Sequence, residues 1–386
     1  MKHRSIGILI CGAAAGIFMI AAPLVSEITQ QGRGEGAPIA WREEPVFLSV
    51  REPRRLSGGD EPVGQTELES AELESDRVTE EPVPTPETGT GAESEAGNAS
   101  SASLPEEIVL LDAERGTTVM LPLEEYIVGV VAAEMPYTFQ AEALKAQAVA
   151  ARSYCLYKWE HSLSHEGGAD VCTDHAHCAA YVTEQELVVR YGKSTAARIL
   201  KKIRTAVSDT EGEVMTYQGK AVLALFHSRS FLTTESSENV WGGAYPYLVS
   251  VPTPEEDSVS TVTVSDEALR KAFTGEEAYP VSLGFSAKLT STLNSSGRQG
   301  TLTYAGVTLT GRKVRSLLSL RSSRFEYERT ENGCVFTVHG YGLGVGMSQY
   351  GANTMALAGA DYREILTHYY TGAVIVSGTR AEPDEA

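Results

Sequence analysis

The chain has 386 residues, 42% of them apolar, and carries a net charge of −19 from 51 acidic and 32 basic side chains. That length is enough for two ordinary domains, and the apolar share is enough to bury a core in part of it. Nothing in it resembles a basic nucleic-acid-binding surface, and no glycine-rich phosphate loop with its following Lys occurs.

Ile6 to Val25 is an uncharged, mostly apolar run behind Lys2, His3 and Arg4, long enough to cross a hydrocarbon layer of ~30 Å. It predicts a transmembrane anchor over 1–26 with the remainder outside the cytoplasm. The rivals are a cleaved signal peptide, disfavoured by Pro23 after Ala21-Ala22, and a lipoprotein cysteine at Cys11, disfavoured by the bulky Ile10 before it. From Glu27 to Glu107 the composition turns to Glu, Pro, Ser, Thr and Gly, with 19 acids against 6 bases. Residues 27–106 therefore read as a disordered acidic linker. Most of the net charge belongs to this linker and says little about any substrate.

Ile108–Leu111 and Thr118–Leu121 read as strands about a turn at Glu114-Arg115-Gly116. The period then becomes helical. Pro122 with Glu124 and Glu125 opens a helix expected to reach Glu134, because Pro136 disfavours helical geometry at Met135. Leu123, Tyr126, Ile127, Val130 and Val131 form one apolar stripe, and the next position on it is Glu134. A carboxylate placed among apolar neighbours, at the negative end of a helix dipole, is expected to hold its proton more tightly and so to serve as a general acid. The plainer reading is a structural Glu paired with a base.

A second helix is expected from about Ala141 to Trp159, its alanines allowing close contact. Lys145, Gln147 and Arg152 on it are candidate substrate contacts, against the default of a solvated polar face. His161, His165, Cys172, His175, His177 and Cys178 then crowd into eighteen residues. Thiolate and imidazole are the ligands tetrahedral Zn²⁺ prefers, and His165, Cys172, His177 and Cys178 would fill all four positions, leaving a structural ion. A Cys172 to Cys178 disulfide is the alternative.

After a helical stretch near Leu187 to Val207, strands are expected at Val214–Gln218, Lys220–Phe226 and Pro246–Val251. Between them lies a hydroxyl-rich loop in which Ser228 and Ser230 are candidate sugar contacts. A hydrolytic His227–Ser arrangement is disfavoured, since neighbouring strand residues point to opposite faces and no acid is placed to orient the His. The segment from Gly340 to Gly351 alternates glycines before a helix expected over Ala352–Ala358 and offers Gln349 and Tyr350 as candidate ligand contacts. The expected fold is α+β. A catalytic part over 107–254 holds the helix pair and zinc loop, a β-rich segment is inserted at 255–335, the catalytic part resumes at 336–376, and a tail covers 377–386. Within the insert a helix near Asp266–Ala272 and a hairpin over Thr303–Thr308 are expected.

The stretches Glu125–Pro136 and Glu142–Tyr154, with Gly344–Gly351 and Ile365–Gly372, resemble the stage II sporulation protein D family over roughly residues 107–375. The resemblance implies a lytic transglycosylase that degrades peptide-free glycan strands of peptidoglycan during forespore engulfment, with Glu134 as the catalytic residue. It also implies a mother-cell membrane location, action beside the stage II sporulation protein P amidase and stage II sporulation protein M, and zinc held by two His and two Cys, as in a clostridial branch of the family. No organic cofactor is implied. The chain departs from the family at Leu343, where many relatives carry His, and at Phe231-Leu232, where they carry Gly-Gly. A hydrolase needs two carboxyl groups, and only Glu134 is strongly placed. Lytic cleavage resolves this, because the muramic acid C6 hydroxyl itself attacks the anomeric carbon. A non-catalytic glycan-binding activator of an amidase and a hydrolytic muramidase are the alternatives.

Overall fold

In this computed structural model the described residues are 102–161, 165–174, 177–274 and 288–380. The expected anchor, nearly all of the expected linker, His175 and residues 381–386 of the tail lie outside them. Among the described residues no helix is long and apolar enough to cross a membrane.

The chain enters with β1 (Ser103–Leu104) and the antiparallel pair β2 (Glu107–Asp112) and β3 (Thr117–Pro122), in which Ile108 faces Leu121. Helix α1 (Leu123–Glu134) follows without a break. It stops where Pro136 requires: Met135 is extended, and its N–H closes the last turn on the Val131 carbonyl at 3.0 Å. Helix α2 (Ala141–Glu160) is buried on nearly every side from Ala143 to Lys158. Its alanines make this possible, since small side chains let α1 and the helices Lys193–Ser208, Gln349–Leu357 and Tyr362–Tyr369 pack directly on it.

The short β4 (Val171–Cys172) joins β2 in parallel. The helical stretch expected next is two helices, α3 (Glu184–Tyr191) and α4 (Lys193–Ser208), because Gly192 between them adopts φ 78°. β5 (Glu213–Tyr217) pairs with β6 (Lys220–Ala221), and β7 (Phe226–His227) stands apart from both. The expected strand over Lys220–Phe226 is thus two short pieces, and Pro246–Val251 forms no strand. Its backbone is satisfied irregularly instead, with Val251 N–H donating to the Thr234 hydroxyl at 2.9 Å. The intervening loop contains the one-turn α5 (Ser237–Trp241).

The next segment builds a core of its own. β8 (Val259–Ser265), α6 (Asp266–Thr274), β9 (Thr290–Leu293), β10 (Gln299–Tyr304), β11 (Val307–Thr310), α7 (Gly311–Leu317), β12 (Phe325–Thr330) and β13 (Gly333–His339) form two three-stranded sheets, ordered β11-β10-β9 and β12-β13-β8. The expected hairpin turns at Ala305-Gly306, both at positive φ, which matches the twist of the flanking strands. Leu269, Phe273, Leu302, Val314 and Phe336 fill this second core, which is distinct from the larger one around α2.

The chain then returns through β14 (Met347–Ser348), parallel to β7, into α8 (Gln349–Leu357), α9 (Tyr362–Tyr369), β15 (Val374–Ser377) beside β5, and β16 (Thr379–Arg380) beside β1. Helix α8 starts three residues before the expected Ala352, because the Ser348 hydroxyl caps it by accepting the Gly351 N–H at 3.2 Å.

Candidate active site and metal centre

Glu134 closes α1 with its side chain half-buried. One carboxylate oxygen accepts the Ala180 N–H at 2.7 Å, and the other faces the Gln349 side-chain amide at 3.3 Å. The two donors come from separate segments, one leaving the Cys/His loop and one at the first turn of α8. Ala180 reaches Glu134 because its neighbours lie flat on α1. The Tyr181 ring stacks on Tyr126 at 5.8 Å between centroids, and Val182 N–H donates to the Gly129 carbonyl at 3.3 Å. Glycine is required there, as a Cβ on residue 129 would come within 2.2 Å of the Tyr181 ring.

The expected metal quartet is assembled. One ligand atom each from His165, Cys172, His177 and Cys178 lies within 4.8 Å of the others. His165 Nε2 is 3.2 Å from Cys178 Sγ, and His177 Nδ1 is 3.6 Å from each sulfur. Zinc bonds of about 2.1 Å to nitrogen and 2.3 Å to sulfur imply tetrahedral edges of roughly 3.4–3.8 Å, so the spacing fits the ion. Both cysteines are free thiols, and no disulfide joins them. A hydrogen bond from the Cys172 thiol is the main cause that draws Cys178 down and pushes Cys172 up.

The remaining candidates are not all brought to Glu134. Arg152, fully buried, grips the Glu124 carboxylate with two nitrogens at 2.9 and 2.7 Å and gives its third to the Glu213 carbonyl at 2.8 Å. Three of its five N–H donors join α1, α2 and β5, and its complete burial keeps the guanidinium from a glycan. Lys145 pairs with Glu142 at 3.0 Å and Asp209 at 3.1 Å. Gln147 is fully buried, and neither atom of its amide finds a partner among the described residues. Tyr350 is held between Phe139, edge-on at 4.8 Å, and the Arg229 guanidinium, 3.3 Å above its ring. Ser228 and Ser230 are buried rather than displayed.

His227 and Ser230 do meet, contrary to the expectation from strand alternation, because β7 ends at His227 and the chain turns. Val345 O, 3.2 Å away, can only accept, so Nδ1 carries the proton and Nε2 receives the Ser230 hydroxyl at 2.6 Å. Burial, helped by the Arg298 charge, pushes His227 down to about 3, which keeps it neutral. Arg298 itself is fully buried. It donates to the Ser230 oxygen at 3.0 Å and lies 3.8 Å from the buried Glu235 carboxylate. With Ser230 sealed from solvent, this is a structural knot that ties β10 to the loops around β7.

A family model described as stage II sporulation protein matches residues 113–217, which contain α1, α2 and the metal quartet. Stage II sporulation protein D of Bacillus amyloliquefaciens is 38% identical over 261 residues, covering 66% of this chain and 74% of that protein. The chain belongs to the stage II sporulation protein D family. The family's Bacillus subtilis protein of the same name is 37% identical over 268 residues, with the same shares covered. A more distant relative, the amidase enhancer of Bacillus subtilis, is 24% identical over 303 residues, covering 64% of this chain and 40% of its own. Family membership makes this a sporulation protein. Glu255 and Arg298 had escaped notice in the sequence, because an isolated charge in a loop carries no local sign of the chain it will be buried against.

Proposed function

We propose that this chain is a lytic transglycosylase that cuts peptide-free glycan strands of peptidoglycan, acting outside the cytoplasm from a membrane anchor. The supporting observation is Glu134: a half-buried carboxyl at a helix end, with an N–H on one oxygen and a carboxamide on the other. Such donors fix the carboxyl in one orientation, as an acid serving a single glycosidic bond requires.

In the reaction, Glu134 gives its proton to the oxygen that links muramic acid to the next sugar, and the bond from the anomeric carbon to that oxygen breaks. The resulting carboxylate takes the proton of the muramic acid C6 hydroxyl. Its oxygen closes on the anomeric carbon as a 1,6-anhydro ring. Atoms and charges balance, Glu134 returns to its starting state and no water is consumed. His165, Cys172, His177 and Cys178 would hold zinc with all four protein ligands, as a structural ion that would fix the loop delivering Ala180. Action beside the stage II sporulation protein P amidase and stage II sporulation protein M in engulfment belongs to the same reading.

The kinship to an amidase enhancer favours one alternative, a glycan-binding activator that cuts nothing. Mass spectrometry of peptide-free glycan after incubation with wild type and Glu134→Gln separates the cases. Wild type is expected to leave anhydro ends, and the variant to be slower by about 10²–10⁴-fold, the usual contribution of a general acid. Ends heavier by one water would mean a muramidase, and intact glycan would leave the activator.

A further inference from the structure

Glu255 is a buried carboxyl that the reaction above does not use. It lies 25 residues beyond Ser230 and 93 before Ser348 in the chain, yet touches both. One oxygen accepts the Ser230 N–H at 2.5 Å, and the other accepts the Ser348 hydroxyl. The Gly351 N–H also points to it, and a Cβ on residue 351 would stand 3.0 Å from its second oxygen and closer still to the hydroxyls of Tyr369 and Thr253. The segments it joins already run side by side: Met347 and Ser348 bridge Phe226 and His227, and Tyr350 N–H donates to the Ser228 carbonyl at 3.1 Å. Ser348 is the cap of α8, and the next residue is Gln349, whose amide faces Glu134.

We propose that Glu255 is a positioning residue for the Glu134 site: its carboxylate clamps the turn at Ser230 to the cap of α8 and so holds the Gln349 amide on Glu134. The inference rests on the reading of Glu134 as the reacting acid. The carboxylate accepts at both oxygens with charge-assisted bonds, whereas the neutral acid carries a proton on one of them and makes only the weaker, uncharged kind. Protonation therefore weakens the clamp. Burial pushes Glu255 up to about 7, against the Ser348 and Ser230 hydrogen bonds that favour the charged form. The charges around it are Arg229, from the turn after β7, and Arg298, from the start of β10. Tyr369 of α9 lies near it as a neutral phenol, raised by burial, and His227 stands one hydrogen bond away, beyond Ser230, also neutral.

The test uses the full chain on peptide-free glycan from pH 5.5 to 8.5, together with hydrogen–deuterium exchange of α8 corrected for the intrinsic rate. Wild type is expected to lose kcat on an acid limb centred near pH 7, with exchange at Ser348–Leu357 quickening over the same range. Glu255→Gln, which keeps one acceptor oxygen and adds a donor, is expected to lower kcat by about 10- to 100-fold with KM within about twofold, to abolish the limb and to leave α8 loose at every pH. Should that variant fail to fold, Ser348→Ala removes one donor, and the limb is expected to move to higher pH. A limb and an α8 exchange pattern unchanged in these variants would overturn the clamp. If wild type makes no anhydro product, the proposed reaction falls, and the clamp is then judged by exchange alone, where protection of α8 independent of pH and of Glu255 overturns it.

Discussion

The two oxygens of Glu134 are served by two arms of different chemistry. The arm that ends at Ala180 leaves a quartet of thiols and imidazoles two residues upstream, a donor set suited to a metal. The arm that ends at Gln349 is fastened by the Glu255 carboxylate beneath a helix cap. In the proposed reaction each arm sets one donor on Glu134 by a group that does not touch the reacting bond, so the geometry of that carboxyl is expected to depend on two separate chemical states.

Breaking the first arm should have the largest effect. Stripping the ion with a chelator, or Cys172→Ser, is expected to lower stability and metal content together. At a thousandfold excess of metal over its Kd the ion contributes about 4 kcal/mol, and thermal unfolding with and without metal reads this directly. A metal-free protein of unchanged stability would remove the ion from the account. A subtler break leaves the ligands alone. Gly129→Ala puts a methyl where the Tyr181 ring lies, an overpacking expected to cost about 1–3 kcal/mol. It should displace Ala180 while metal content stays full. Full activity in a metal-loaded Gly129→Ala protein would show that the arm need not lie flat on α1.

The smallest effect sharpens the second arm. Glu255 moves from an ordinary 4.5 to about 7 on folding, so between these values the native protein holds more of this proton than the unfolded chain. Stability attributable to Glu255 is therefore highest below about pH 4.5 and declines as pH rises to about 7. Glu255→Gln should flatten that part of the slope, as urea midpoints at pH 5 and pH 8 would show. An unaltered difference between the two midpoints would mean that another group carries it.

How far each arm could be read in the sequence follows from the range of its contacts. The end of α1 at Glu134 was legible because Pro136 acts on its immediate neighbour, and the quartet was legible because its four ligands fall within fourteen residues. Lys145 and Arg152 lie on a helix that was correctly drawn, but periodicity gives a face and not a partner. Their acids, Asp209 and Glu124, come from other helices or their ends. The break at Gly192 was visible as a glycine, yet nothing local said that it would take a positive φ rather than sit quietly inside one long helix. The Glu255–Ser348 contact depends on the return of the chain after the insert and the Arg298–Ser230 contact on how the insert packs, which no local pattern encodes, whereas the His227–Ser230 contact is made by the turn right after β7.

The carboxamide that faces Glu134 is 215 residues away along the chain. Between them lies a whole second core. Contacts of such span form late, because the entropy of closing the loop must be met first. A nascent molecule can have a finished α1 and an assembled Cys/His loop and still lack the Gln349 amide on Glu134. In the proposed reaction the docking of α8 would then set when the Glu134 site is complete.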